Sequence, residues 1–581
     1  MASAATPHTE PHVGGVLRVY GPPGTGKTTL LAELVRETIA EHGPDSLILA
    51  SFSNTAANEI AGRFTDDNAA MRPAKGMVGT LHSHAYRSLG HSNVALDPRM
   101  LADWNSMVGP ELHITPDTRK SGGTSGDVGA MSVDPQMAQT GDELLGALDR
   151  LRAGMVDPED WPSNIRKFEE RWSAWKSDVD AVDYTDMIFN AWLQARDGVP
   201  APGRPQFVML DEAQDSTPLE IALALAWGAL AGQLILGMDD DQAINRWRGG
   251  DPTPLLALHG DDVVDRVLDR SYRVPEAVRA VAERWVRRLS NRREKVYHSR
   301  LGETGEVVTG AAYQVPETLR SAELVKRITQ DVDAGRTVMV IASCNYMLEP
   351  LLANLRTVGL PFHNPYRPAE QRWNPLGAPS REDAMATSER VRRFLALNER
   401  DWTGADIQGW AGLVKLTDAG MVRSAKATIA RLDPYAVIDF EEIAALFRDD
   451  EFGRESLSLA VTPDVTFLER ALLKAKIEPA AYPLQIARNH GAAALDVMPQ
   501  ITVGTIHSVK GAAADIVYVC PEVSNAAAQK LGSVDGADET IRLFYVAMTR
   551  AYEELRVLTP ASKLHVKTSQ LIPADLEVIG A

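Results

Sequence analysis

The sequence predicts an α/β protein built from two parallel-sheet domains, each interrupted by a mainly helical segment. Three observations carry that expectation. Short apolar runs recur along the chain with helical stretches between them. A glycine-rich loop with the spacing G-x-x-x-x-G-K-T follows the first run, from Gly21 to Thr28. A later run, residues 207–210, leads straight into two carboxylates, Asp211 and Glu212. A buried strand that delivers acidic groups to the edge of a sheet reads this way.

Taken in order, residues 1–13 are polar and Pro/His-containing, and a disordered tail is expected there. Leu17 to Tyr20 reads as a strand. Gly21, Gly24 and Gly26 let the following backbone turn tightly, so that its N–H groups face phosphate oxygens. In such a loop Lys27 reaches the β- and γ-phosphates, and the Thr28 hydroxyl is a ligand for Mg²⁺. Leu30, Leu31, Leu34, Val35 and Ile39 then follow at helical period, with Gly43 as the stop. The loop therefore sits at a helix N-terminus, where the dipole favours anions. Further strands are expected at 46–50, 207–210, 234–236, 338–342, 516–519 and 555–558. At the end of the 207–210 run, Asp211 is suited to anchoring nucleotide-bound Mg²⁺. Its neighbour Glu212 is suited to orienting and deprotonating an attacking water.

These signals cluster in two regions. Residues 14–90 with 200–265 form the first expected sheet domain, and 266–366 with 494–570 the second. Residues 91–199 and 367–493 are the two helical segments. The first of these contains a Gly/Ser-rich stretch, 121–129, expected to be a mobile loop, and then Trp161, Trp172 and Trp175.

The bulk numbers bound the function. A chain of 581 residues suggests several domains. The net charge of −18 argues against a generally basic nucleic-acid coat, though not against a local basic track. The six arginines and one lysine between 284 and 300, against one glutamate, suit either a solvated helix face or a phosphate-tracking strip. Two cysteines, Cys344 and Cys520, cannot build a four-cysteine metal site and fit a reducing cytoplasm. No apolar leader or membrane span is read.

Beyond the loop and the Asp211 block, further blocks follow in a fixed order. They are 51–57 (SFSNTAA), 79–83 (GTLHS), 183–186 (DYTD), 237–249 (GMDDDQAINRWRG), 271–273 (SYR), 504–511 (GTIHSVKG) and 545–551 (YVAMTRA). The ordered set resembles the superfamily 1 DNA helicases of the UvrD/Rep/PcrA type. The resemblance implies two RecA-like domains with helical insertions, ATP and Mg²⁺ as cofactors, and single-stranded or tailed duplex DNA as partner. It implies Lys27, Asp211, Glu212 and Gln242 as catalytic residues, with Arg273 and Arg550 as arginine fingers reaching from the second sheet domain. Gly21, Gly24, Thr25, Gly26, Lys27, Thr28, Thr29, Gln214 and Tyr272 would hold the nucleotide, Tyr272 by stacking on adenine. Thr28 and Asp211 would hold the metal. Phe52, Thr80, His82, Trp247, Arg248, Thr505 and His507 would contact DNA, Trp247 by stacking on bases. Phe52 fits a core position equally well.

Three departures from the family pattern stand out. Residues 1–20 contain no glutamine to read adenine, which leaves base selectivity open. Asn245 replaces an aromatic before Trp247, and Ala512 to Ala514 follow Gly511 where a glutamate is usual. The stretch after Arg550 is short, with no recognisable strand-separating aromatic and no room expected for a fused nuclease. The expected function is a DNA helicase moving 3′ to 5′. The alternatives are a translocase that does not unwind alone, or the motor subunit of a helicase–nuclease or protein-displacing complex. The pathway, whether repair, recombination or phage-type replication, stays open, as does RNA as a substrate.

Overall fold

The computed structural model describes residues 15–52, 54–64, 72–90, 93–116, 135–309, 317–365, 367, 372–376 and 385–571. The expected tail at 1–13 and the Gly/Ser-rich stretch at 121–129 lie outside them. In chain order the strands are β1 (Gly15–Tyr20), β2 (Leu47–Ser51), β3 (Val78–Thr80), β4 (Asn93–Val94) and β5 (Ala181–Val182). Then come β6 (Phe207–Asp211), β7 (Gln233–Met238), β8 (Val263–Val267), β9 (Glu306–Thr309) and β10 (Val338–Ala342). The last four are β11 (Phe362–His363), β12 (Ile501–Thr505), β13 (Ala514–Val519) and β14 (Ala551–Val557).

The first sheet has six strands in the order β3-β2-β6-β7-β1-β8. Its pairings are parallel. The three strands β2, β6 and β7 are buried along their whole length, as parallel strands covered on both faces must be. Alternate residues feed opposite faces. Val19, Leu47, Leu49, Phe207, Met209 and Ile235 join Leu31, Val35 and Ile39 of the helix Lys27–His42 in one core. Tyr20, Ile48, Ala50, Val208, Leu210, Leu234 and Leu236 join the helix Pro218–Ala231 in another. Register then lines up the carboxyl ends: Tyr20 opposite Met238, and Ser51 opposite both Asp211 and Thr80. Every strand therefore hands its next residues to the same edge, where parallel sheets bind ligands.

The described residues among 91–199 are mainly helical. The helices Pro98–Met107, Gly141–Ala153 and Ser163–Asp178 pack around Trp104, Phe168, Trp172 and Trp175. The rings of Trp172 and Trp175 stack with centroids 4.9 Å apart. Strands β4 and β5 form a two-stranded parallel pair beside them.

The second sheet orders as β11-β12-β10-β13-β14-β9, with β10 parallel to both β12 and β13. Its core includes Val338, Val340, Ile516, Tyr518 and Leu352. A separate helical core at Trp402, Trp410, Phe394 and Phe467 occupies the later part of the second inserted segment.

The chain divides into two compact units. One is Met1–Val307 with Val523–Leu555 and Val566–Ala581; the other is Val308–Glu522 with Arg556–His565. Two of the four boundaries fall within β9 and β14. Residues 266–307, which the sequence groups with the second sheet, fall in the first unit, as does Arg550. The physical ties are local. The indole of Trp285 donates to the Ile541 carbonyl at 2.8 Å and meets Phe544 edge-on, joining the helices Glu276–Val286 and Val534–Met548.

Candidate nucleotide site and nucleic-acid track

The loop after β1 has the backbone that its glycines predict. Gly24 and Gly26 take left-handed conformations, φ +73° and +81°, which cost other residues strain. A side chain at Gly24 would also come within 2.4 Å of Arg273 Cβ, and one at Gly21 within 2.7 Å of Lys27 Cβ. Lys27 opens the following helix and is buried. Burial works against its charge, but Glu212 and Asp211 outweigh it and raise the ammonium pKa. The ammonium bonds to Glu212 Oε1 and lies 3.9 Å from Asp211 Oδ1. Beside it the Thr28 hydroxyl donates to Asp211 Oδ2 at 2.9 Å. Burial lifts the Asp211 pKa, against the pull of Lys27. Thr25 closes the turn by donating to the Pro22 carbonyl at 2.8 Å. Thr29 lies within the first helical turn.

Glu212 ends β6 in a left-handed conformation, φ +55°. A non-glycine residue held there is strained, and such strain concentrates at functional sites. From Glu212 a line of side chains crosses the sheet edge. Gln214 Nε2 donates to Glu212 Oε2 at 2.6 Å. The Asp239 backbone N–H donates to Gln214 Oε1 at 2.9 Å. Gln242 Nε2 donates to Asp239 Oδ2 at 2.6 Å, and Arg550 Nη2 donates to Gln242 Oε1 at 3.1 Å. Lys27, Glu212, Gln242 and Arg550, singled out separately in the sequence, are thus joined. Asp239, which completes the path, lies in the 237–249 block with no role read for it from the sequence. Its signal was available: an acid directly after a buried strand, three residues before Gln242.

The 271–273 block docks on the loop. Ser271 Oγ donates to the Pro23 carbonyl at 2.7 Å, and the Tyr272 N–H to the Gly24 carbonyl at 2.8 Å. Tyr272 is 69% exposed with its ring beside Gly26, a free face for a planar ring to stack on. Arg273, whose N–H donates to Ser271 Oγ at 3.2 Å, is part-buried against Gly24.

The arginine-rich stretch is largely committed elsewhere. Arg292 and Lys295 pair with Asp241, and Lys295 also with Asp239 and Asp240. Arg293 pairs with Asp265, Arg287 with Glu283 and Arg300 with Glu303, while Arg288 lies over the Trp285 ring. For Arg292 and Lys295 the phosphate-tracking reading gives way to an internal one, because buried carboxylates on the adjacent loop require cations. Arg542, buried nearby, donates to the Asp240 carbonyl at 3.0 Å; the sequence carried no signal for it.

Four of the expected DNA contacts gather at the carboxyl ends of β2 and β3. The Arg248 guanidinium covers the Phe52 ring at 4.7 Å. Thr80 caps the helix Leu81–Leu89 by accepting from the Ser83 N–H at 3.2 Å. His82 sits 3.4 Å from Glu220 and edge-on to Tyr184. Burial, aided by Arg248 and opposed by Glu220, holds its pKa low, so the ring is neutral near pH 7. Trp247 is half-buried in the short turn Arg246–Arg248. Asn245 closes that turn, its carbonyl accepting from the Arg248 and Gly250 N–H groups at 3.0 and 3.2 Å. Thr505 and His507 belong to the other unit, at the end of β12. There Thr505 Oγ1 accepts from the Ser508 N–H at 3.2 Å, and His507 is half-buried.

Comparison with known proteins agrees with this geometry. Residues 4–262 match the UvrD/REP helicase N-terminal domain, and residues 484–561 the UvrD-like helicase C-terminal domain. The Bacillus subtilis protein YjcD, provisionally named an ATP-dependent DNA helicase, is 25% identical over 48% of this chain and 38% of its own length. The ATP-dependent DNA helicase PcrA of the same organism is 22% identical over 48% of this chain and 39% of its own. The ATP-dependent DNA helicase UvrD2 of Mycobacterium tuberculosis is 27% identical over 51% and 47%. The chain spans less than half the length of these relatives. The two domain matches, the parallel α/β sheets and the phosphate loop agree: the chain belongs to the UvrD-like helicases, of the UvrD/Rep/PcrA type.

Proposed function

We propose that this chain is an ATP-driven motor on single-stranded DNA and a DNA helicase that moves 3′ to 5′. The observation that carries the reading is the unbroken hydrogen-bond path from Lys27 through Glu212, Gln214, Asp239 and Gln242 to Arg550. It joins the groups that phosphoryl transfer needs: a phosphate-binding lysine, a base for water and an arginine to offset charge on the transferred group. Glu212 takes the proton as water attacks the γ-phosphorus. The bond to the bridging oxygen then breaks, and ADP departs. Thr28 and Asp211, hard oxygen donors 2.9 Å apart, suit Mg²⁺, which supplies charge neutralisation on the phosphates when bound. Tyr272 offers its exposed face to the base.

The path continues towards DNA through one block, since Gln242 precedes Trp247 by five residues. Phe52, Thr80, His82, Trp247 and Arg248 are the proposed strand contacts on the first unit, and Thr505 and His507 those on the second. Trp247→Ala is expected to weaken oligo-dT binding about five- to a hundredfold, from a stacking worth of ~1–3 kcal/mol. A titration at matched salt checks it, and undiminished affinity removes Trp247 from the track.

A second reading, a translocase that does not unwind alone or works within a nuclease or protein-displacing complex, is favoured by Asn245. That residue puts an amide side chain, with no capping bond of its own, where an aromatic would stack. ATPase rate with and without single-stranded DNA, paired with unwinding of 3′- and 5′-tailed duplexes, decides between the two. DNA-stimulated hydrolysis without unwinding selects the second, and unwinding of the 5′-tailed duplex reverses the polarity.

A further inference from the structure

Asp239, Asp240 and Asp241 are buried one after another, each 0% exposed. Three carboxylates out of water are stable only where cations meet them. Lys295, its side chain 1% exposed, meets all three: its ammonium lies 3.0 Å from Asp239 Oδ1 and 3.1 Å from Asp241 Oδ2, and it bonds to Asp240 Oδ1. Arg292 adds two bonds to Asp241, at 2.9 and 2.6 Å. Asp239 is therefore held from one side by Lys295, while on the other it accepts from Gln242 and donates its N–H to Gln214.

We infer that Lys295 is a positioning residue for hydrolysis: by fixing the Asp239 carboxylate it sets Gln242 against Arg550. The inference rests on the proposed ATPase reading. Lys295 touches neither the loop nor Glu212 in the contacts described, so its influence runs through Asp239. Without it, three like charges face one fewer cation and move apart. The Gln242 amide then loses a fixed acceptor, and a small misplacement at a reacting group carries a large rate cost.

A kinetic cycle on the full chain tests this, using Lys295→Met, Gln242→Ala and the double variant. ATPase kcat and KM with oligo-dT are measured alongside the melting temperature. Lys295→Met is expected to lower kcat about ten- to a hundredfold with KM nearly unchanged. The double variant is expected to be no slower than Gln242→Ala alone, because both changes act on one path. An unchanged kcat in either single variant, or losses that multiply in the double, overturns the inference. A purely stabilising Lys295 would give that second result. If Lys295→Met does not fold, Lys295→Gln, which removes the charge but keeps a polar side chain, takes its place in the same cycle: losses shared with Gln242→Ala support the inference, and multiplied or absent losses overturn it. A parent chain that hydrolyses no ATP overturns the ATPase reading and the inference together. An active parent with independent variants overturns the inference alone.

Discussion

Two acidic blocks of this chain look alike in sequence and are used in opposite ways. Asp211-Glu212 and Asp183-Tyr184-Thr185-Asp186 both belong to the ordered family blocks, and both end in the first unit among cations. Asp183 is saturated. It accepts from the Trp172 indole at 2.9 Å, Lys176 at 2.6 Å, Arg152 at 3.0 Å and the Asp186 N–H at 2.8 Å. Burial alone would lift its pKa, but Arg152 and Lys176 hold it well below the ordinary carboxylate range. It caps the helix Tyr184–Arg196 and ties it to the helices that carry Arg152 and Lys176. Glu212 is 27% exposed, strained in its backbone, and bonded to Lys27 and Gln214. A fully satisfied carboxylate fastens helices together. One that keeps solvent contact can accept a proton.

The contrast predicts effects of different kinds. The largest belongs to Glu212→Gln, expected to reduce ATP turnover to background while ATP binding and melting temperature stay near the parent values, because only the base is lost. Normal turnover in that variant erases the distinction. Arg550→Ala is expected next, lowering kcat by about 10³–10⁵, the range of arginine fingers, with a smaller change in nucleotide binding; rapid-mixing ATPase assays measure it. Asp183→Asn is expected to lower stability by about 3 kcal/mol in urea unfolding, since Lys176 and Arg152 lose a buried partner. Hydrolysis per folded molecule should persist there, and a selective loss of kcat would make the two blocks functionally alike.

The smallest effect concerns Asp149, which accepts from the Thr185 hydroxyl at 2.9 Å. Burial, and then Asp183, push its pKa up to about 6 from 3.8. The folded chain thus holds this proton more tightly than the unfolded one. The stability it contributes is present below the unfolded value and is lost as pH rises through the folded value. Asp149→Asn is expected to melt slightly above the parent near neutral pH, with the gap closing below about pH 4. Equal melting temperatures throughout that range would place Asp149 outside the saturated cluster.

Much of the first sheet was legible because its signals are local. Alternation of buried strands with periodic helices placed β1, β2, β6 and β7 to within two residues, and Gly43 ends the helix Lys27–His42 as read. Strands β3, β8 and β12 escaped notice: β3 is short, β8 is half-buried with two charges in it, and β12, though buried, has only Ile501 and Val503 as large apolar residues. Phe52 illustrates the limit for single residues. Its sequence suited a core or a stacking role, and the structure puts it under the Arg248 guanidinium at a sheet edge.

The sequence by itself determined the α/β class, the phosphate loop and the candidates for the reacting groups, because those depend on residue types at short fixed spacings. Only the tertiary structure decided which groups meet. That Asp239 meets Gln214, that Lys295 and Arg292 are spent on buried aspartates rather than on solvent, and that 266–307 packs with the first unit all depend on contacts between residues dozens to hundreds of positions apart. Charge and burial arbitrate such choices, and neither is written in local order: an arginine run reads the same in sequence whether it faces phosphates or neutralises carboxylates that the fold has taken out of water.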